Sequence, residues 1–343
     1  MIRRAASIAA LTTLIAGTLS AQGAPHGVIV SGPIAARADS ALTALETQGM
    51  SGAFLVANGG QVILQKGYGF ANRESRRAFS PDIVTQIGSC TKDFTAVAVL
   101  QLAERGRLSL DDKITRWFPA APADKEAITV AQLLDHTAGF EEYSGGDFDA
   151  VTRDQFVAHM MASTLRSVPG RSEQYSNPGY GLLAAIIEQV SGTSYDEYVR
   201  DNILQPLGLR DTGFLLPRFD LSRVSHGYGK NGDNGTILEK PHAADGPYWN
   251  LRGNGGMVST VGDMFRFYES LFTTERLLKF SSRHGRFAPD EPVGLAGGDG
   301  THFFLYERRP RAGVAYIIAT NNAAFQGPRV RLPLEKALGI SEQ

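Results

Sequence analysis

Ser89-Cys90-Thr91-Lys92 sets a hydroxyl and an amine three residues apart. If the segment opens a helix, the two side chains share one face, one turn apart. Residues 92–105 carry Phe94, Val97, Ala98 and Leu102 at helical spacing, and Gly106 supplies a stop. Ser89 then stands at a helix start, where backbone N–H groups lack partners and the dipole is positive. Such an end stabilises an anion forming beside it. The same field, with partial burial, favours the neutral amine of Lys92, a usable base for a serine nucleophile. The plainer role for Ser89 is a helix N-cap. A second group is Tyr175-Ser176-Asn177, followed by Pro178-Gly179 and a helical pattern. A phenol beside an ammonium loses its proton more easily, so Tyr175 is a candidate proton shuttle. Asn177 can donate to a substrate carbonyl and accept from Lys92. The plainer role here is a capping turn, since Asn-Pro is a common helix entry.

Both groups need elements to hold them. Residues 34–48 place Ile34, Ala38, Leu42 and Leu45 on one helical face. Apolar runs at 53–57 and 61–65 flank Asn58-Gly59-Gly60, a strong hairpin signal. Residues 129–139 predict a short helix ending at His136 and Gly139. There His136 complements the dipole and Gly139 supplies a left-handed cap. Further helices are predicted over 179–190 and 195–204. Runs at 301–306 and 313–320 predict a second hairpin. Between them Glu307-Arg308-Arg309-Pro310-Arg311 reads as a solvated turn that also guards an edge strand. Strands at both ends with helices between predict an α+β fold, an antiparallel sheet flanked by helices. Residues 27–100 and 245–343 would share the sheet as one discontinuous domain, and 101–244 would form a mainly helical second region.

Composition excludes several classes. A net charge of −1, from 34 basic against 35 acidic residues, offers no basic face for a nucleic-acid partner. With 43% hydrophobic and 20% charged residues, the chain is globular rather than disordered. The one cysteine, Cys90, excludes an internal disulfide and any multi-cysteine zinc site. Cys90 itself reads as a buried, inert thiol. The seven histidines are scattered singly and no H-E-x-x-H run occurs, so no metal is expected. Gly227-Tyr228-Gly229-Lys230-Asn231-Gly232 matches G-x-G-x-x-G, but Asp233-Asn234-Gly235-Thr236 continues it as a loop, not a helix. No cofactor is therefore expected. Absence of a G-x-S-x-G elbow disfavours an α/β-hydrolase. Arg3 and Arg4 precede an uncharged run over 5–21, and small residues crowd 20–24. This reads as a secretory signal peptide over 1–22, giving a secreted or periplasmic protein with no stable membrane anchor after cleavage.

Taken together, Gly88-Ser89-Cys90-Thr91-Lys92, Leu133-Leu134-Asp135-His136-Thr137-Ala138-Gly139, Tyr175-Ser176-Asn177-Pro178-Gly179-Tyr180, Pro206-Leu207-Gly208-Leu209 and Gly255-Gly256-Met257-Val258-Ser259-Thr260 carry a family resemblance in their order and spacing. The chain resembles the serine β-lactamase and penicillin-binding-protein-like family, which includes class C β-lactamases, D-alanyl-D-alanine carboxypeptidases and family VIII carboxylesterases. The resemblance runs from about Gly52 to Asn322. It implies a β-lactamase/transpeptidase-like sheet with a helical domain and the site between them. It also implies Ser89 as acylated nucleophile, Lys92 and Tyr175 as acid/base pair, and Asn177 as a polar site residue. The family's third motif, Lys-Thr-Gly or His-x-Gly, corresponds here to Gly294-Leu295-Ala296-Gly297-Gly298, with Leu295 in place of the cation. The resemblance implies an oxyanion hole from the N–H groups of Ser89 and Gly298. His302 is an additional candidate for the missing cation. The expected substrate is a small-molecule ester. The alternatives are a β-lactam or peptidoglycan-type amide, hydrolysed by a β-lactamase or D,D-carboxypeptidase, and a catalytically weak relative that binds a cell-wall or peptide ligand.

Overall fold

The computed structural model describes residues 27–287 and 293–340. The expected signal peptide lies outside the described residues. Side-chain alternation decides the central layer. In β2 (Gly52–Asn58), Ala53, Leu55 and Ala57 face one way and Phe54 and Val56 the other, and all are buried. The same alternation runs through β6 (Val314–Thr320), with Ala315, Ile317 and Ala319 opposite Val314, Tyr316 and Ile318. A strand apolar on both faces must be covered on both.

The covers are helices. On one face lie α1 (Gly32–Glu46), through Ala35, Ala38, Leu42 and Leu45, and α6 (Pro328–Leu338), through Val330 and Leu334. On the other lie α2 (Thr91–Glu104) and α5 (Val261–Thr273). Phe94 of α2 stacks on Phe267 of α5 at 4.1 Å between ring centroids. Each such buried side chain contributes about 1.5–3 kcal/mol. The other strands are β1 (Ile29–Val30), β3 (Gln61–Tyr68), β4 (Val293–Gly298) and β5 (Phe303–Arg309). The sheet order is β1-β3-β2-β6-β5-β4, antiparallel throughout. Strands from the two ends of the chain thus meet at the β2–β6 pair. Between β2 and β3 the turn residues Gly59 and Gly60 have φ of 58° and 77°, as a tight hairpin turn requires.

One expectation about the sheet is corrected. Glu307, Arg308 and Arg309 belong to β5, an interior strand, because β4 pairs along its outer side. The charges do not guard an edge. Arg309 instead pairs with Glu307 at 2.7 Å. In the middle of the chain α3 (Val130–Leu134) packs against α4 (Asn177–Ser191), which packs in turn against α2. The Gly227–Gly232 run lies in a small hairpin, Tyr228–Gly229 against Gly232–Asp233, followed by a loop and a single 3-10 turn at Ile237–Glu239. No helix among the described residues is long and apolar enough to cross a membrane.

Candidate active site

The segment before Ser89 is fixed from two sides. Thr85 and Gln86 pair with Ser259 and Val258, and the Ile87 N–H donates to the Met257 carbonyl at 3.1 Å. Gly88 then turns the chain at φ 52° into a short 3-10 turn that runs into α2. A Cβ on Gly88 would lie 2.4 Å from the Gly298 nitrogen, and one on Gly297 would lie 2.5 Å from the Ser89 nitrogen. Only glycine allows this approach. It brings the Gly88–Ser89 backbone directly against the Gly297–Gly298 backbone of the edge strand β4. The Ser89 hydroxyl makes no capping bond, so the N-cap role does not hold.

Lys92, one turn into α2, is fully buried. Its Nζ donates to Ser89 Oγ at 3.2 Å, to Asn177 Oδ1 at 2.6 Å and to the Asn254 carbonyl at 2.8 Å. Three oxygens match the three donors of an ammonium. Tyr175, 41% exposed, donates its hydroxyl to Ser89 Oγ at 2.6 Å. Lys92 Nζ lies 4.8 Å from the Tyr175 ring centroid. The nucleophile candidate is therefore flanked by two groups able to move a proton. Capping of α4 falls to Ser176, whose Oγ accepts from the Gly179 N–H at 3.1 Å. That releases the Asn177 side chain to reach Lys92. The structure thus gathers Ser89, Lys92, Tyr175 and Asn177, with Gly298 beside them.

The remaining candidates lie elsewhere. Leu295 is buried at 3% exposure in the main core, and Cys90 is buried against the Leu295 carbonyl, with Sγ at 3.7 Å. His302 is buried, with Nε2 3.1 Å from Ser225 Oγ and Nδ1 3.1 Å from Thr301 Oγ1. Burial pushes its imidazole below the ordinary value, against the pull of Asp299. His302 is thus not a projecting cation. It lines a cavity of about 310 Å³ with Gln86, Asp147, Phe148, Lys240 and Asp299. Burial raises the Asp147 carboxyl, the like charge of Asp299 adds to this, and Lys92 opposes it. Burial also acts to raise Asp299, but the His302 ring and the N–H groups of His302 and Thr301 outweigh it, leaving its carboxyl below the ordinary range.

Sequence reasoning missed two contributors. Asn254 acts through its carbonyl, for which the Gly253-Asn254-Gly255-Gly256 run was the one available signal. His136 was assigned to a helix end, yet its ring lies 4.7 Å from that of Tyr175. Among the described residues, Glu74, His226 and Asp233 bring ligand-type atoms within 4.8 Å of one another. Asn72 Oδ1 accepts from the Ser75 N–H, which turns its NH2 group to His226 Nε2 at 2.9 Å. The His226 proton then sits on Nδ1 and goes to Asp233 at 2.8 Å. Both ring nitrogens are committed to hydrogen bonds, so the group is poorly suited to a metal.

The sequence and the fold match a known class. The family model "Beta-lactamase" matches residues 38–325. The chain belongs to the beta-lactamase family, which groups serine hydrolases with penicillin-binding proteins. Among curated proteins it is similar to a penicillin-binding protein of Bacillus subtilis, 29% identical over 72% of this chain and 58% of that protein. It is also similar to Protein flp of Staphylococcus aureus, 33% identical over 54% of this chain and 39% of that protein. The chain thus spans roughly two fifths to three fifths of these relatives' length. Among solved structures, FmtA from Staphylococcus aureus superposes with a TM-score of 0.78 at 21% identity, covering 94% of each chain. A class C beta-lactamase gives 0.75 at 16%, over 90% of this chain and 96% of that one. EstCE1, described as a hydrolase with promiscuous acyltransferase activity, gives 0.73 at 22%, over 89% and 98%. These likenesses establish the fold.

Proposed function

We propose that the protein is an exported serine hydrolase that forms an acyl-enzyme on Ser89 and cleaves small carboxylic esters. In the reacting form Tyr175 is the phenolate favoured by the neighbouring Lys92 ammonium: Ser89 Oγ attacks the substrate carbonyl and its proton passes to the Tyr175 oxygen. Tyr175, on the open side of the site, delivers it to the leaving oxygen, and water then releases the acyl group. The N–H groups of Ser89 and Gly298 hold the oxyanion, each contributing about 3 kcal/mol in comparable sites. Asn177 orients the carbonyl through its amide. The observation that carries the reading is the contact of Tyr175 OH and Lys92 Nζ with one serine oxygen, at 2.6 and 3.2 Å.

The preference for esters rests on charge. Leu295 is buried in the core, His302 is buried with its imidazole pushed toward neutrality, and two carboxylates, Asp147 and Asp299, line the adjoining cavity. A β-lactam or D-Ala-D-Ala peptide carries a carboxylate, and lacking its charged partner loses about 1.5–3 kcal/mol. The second reading, a β-lactamase or D,D-carboxypeptidase, is favoured by Lys240, the one cation lining the cavity among the described residues, although its Nζ already donates to the Asn234 carbonyl at 2.7 Å.

Stopped-flow turnover of p-nitrophenyl butyrate and a chromogenic cephalosporin separates these readings. Ester turnover that vanishes in Ser89→Ala, with little cephalosporin opening, is expected. Fast cephalosporin opening, lost in Lys240→Ala, would move the second reading ahead. Inertness toward both, without a covalent adduct by mass spectrometry, would leave a binding protein. N-terminal sequencing of the protein recovered outside the cytoplasm tests export, with a start near residue 23 expected.

A further inference from the structure

We infer that His136 is a positioning residue for Tyr175, holding the phenol in place by gripping the chain on both sides of it. The inference rests on the proposed proton-transfer role of Tyr175. His136 adopts φ 57°, a left-handed conformation that only Arg76 shares among the described non-glycine residues. A β-carbon there is strained. That twist aims two groups of one residue at the same segment. The His136 carbonyl accepts from the Gln174 N–H at 2.7 Å, and its Nδ1 accepts from the Ser176 N–H at 3.1 Å. The residues before and after Tyr175 are thus both fastened to His136. Its ring lies 4.7 Å from that of Tyr175 and 5.1 Å from that of Tyr180, whose hydroxyl donates to the Leu134 carbonyl at 2.9 Å.

The rest of the turn works in the same direction. The Gly170 N–H donates to the Thr137 carbonyl and the Arg166 N–H to the Gly139 carbonyl, each at 2.8 Å. A Cβ on Gly139 would lie 2.3 Å from the Ser167 carbonyl oxygen. Residues 136–139 therefore form the bed on which the approach to Tyr175 is laid. The dipole role does not fit the geometry. An imidazolium has no acceptor nitrogen, whereas Nδ1 here receives an N–H, so the ring is neutral and its proton is on Nε2.

A double-mutant cycle tests the assignment. His136→Gly keeps the left-handed backbone and removes both the acceptor and the ring. Expected is a fall in kcat of about 10–100-fold on the chromogenic ester with KM changed less than about threefold, as misplacement of a reacting group produces. In a Tyr175→Phe background the same change should cost almost nothing further, because its effect passes through the phenol. His136→Asn, whose side-chain oxygen falls near the Nδ1 position, should restore kcat to within about threefold of the parent. Equal, additive losses with and without Tyr175 would overturn the inference while leaving the reaction scheme intact. So would a His136→Gly protein that loses only melting temperature, or a His136→Asn protein that melts normally yet is as slow as His136→Gly. A Tyr175→Phe enzyme as fast as the parent would instead overturn the role of Tyr175, and the inference with it.

Discussion

The two walls of the cleft are built on different principles. The wall of Ser89 is set by contact between backbones, where Gly88 and Gly297 leave no room for even a methyl group. The wall of Tyr175 is set by hydrogen bonds, from Gln174 and Ser176 to His136 and from the Asn177 N–H to the Glu142 carbonyl at 3.0 Å. Lys92 joins the walls by bonding to both. A steric wall fails abruptly when anything is added. A hydrogen-bonded wall loses its members one by one, at about 1–3 kcal/mol each.

The largest effect should come from the steric wall. Gly297→Ala puts a Cβ 2.2 Å from the Ile87 carbonyl oxygen, backbone that cannot step aside. Acylation, followed by intact-protein mass spectrometry, is expected to fall by at least about 10³-fold, one lost oxyanion donor alone accounting for 10²–10³. Near-normal acylation would mean that the two backbones are not closely packed. Next comes the residue shared by both walls. Lys92→Met should slow acylation by about 10²–10³-fold, within the range of a lost acid/base group. Asn177→Ala, on the hydrogen-bonded wall, should cost about 10–100-fold, the equivalent of one charge-assisted bond. If it exceeded Lys92→Met, the ranking of the walls would be reversed. The smallest effect on rate is expected outside both walls, at Asp196. Burial, opposed by Arg252, pushes this carboxyl up to about 7. A raised folded value means that the folded state holds the proton more tightly than the unfolded one. The stability so gained is complete below the unfolded value of 3.8 and is lost as pH rises through 7. Asp196→Asn should therefore raise the melting temperature at pH 8 by a few degrees, on the order of 2 kcal/mol, and much less at pH 5, with kcat unchanged.

How far the sequence reveals this depends on what each wall is made of. Ser89 and Lys92 are legible because one helical turn fixes their relation. Tyr175 and Asn177 are legible only as a motif, since folding alone brings them to Ser89. Helical periodicity marks one apolar face on α2, yet Thr91 through Leu102 are all buried, because the helix has the sheet on one side and α4 on another. Pattern alone gives no strand at β4, Val-Gly-Leu-Ala-Gly-Gly, and so β5 read as an edge. The glycines that admit Ser89 are the residues that erase the strand signal. Asn254 contributes a carbonyl, which every residue owns, and no side-chain pattern announces it. His136 is visible as a residue, but its conformation is not, and the conformation decides what it holds.

The join at β2–β6 has a consequence for how the protein comes into being. Ser89 is made early, while Gly298 and the strand that completes the sheet's centre arrive more than two hundred residues later. Contacts between such distant parts of a chain form slowly, since the intervening loop must first be closed. A partly synthesised chain would therefore carry Ser89 without Gly298 beside it. On the proposed mechanism, hydrolytic competence is deferred until β4, β5 and β6 have docked.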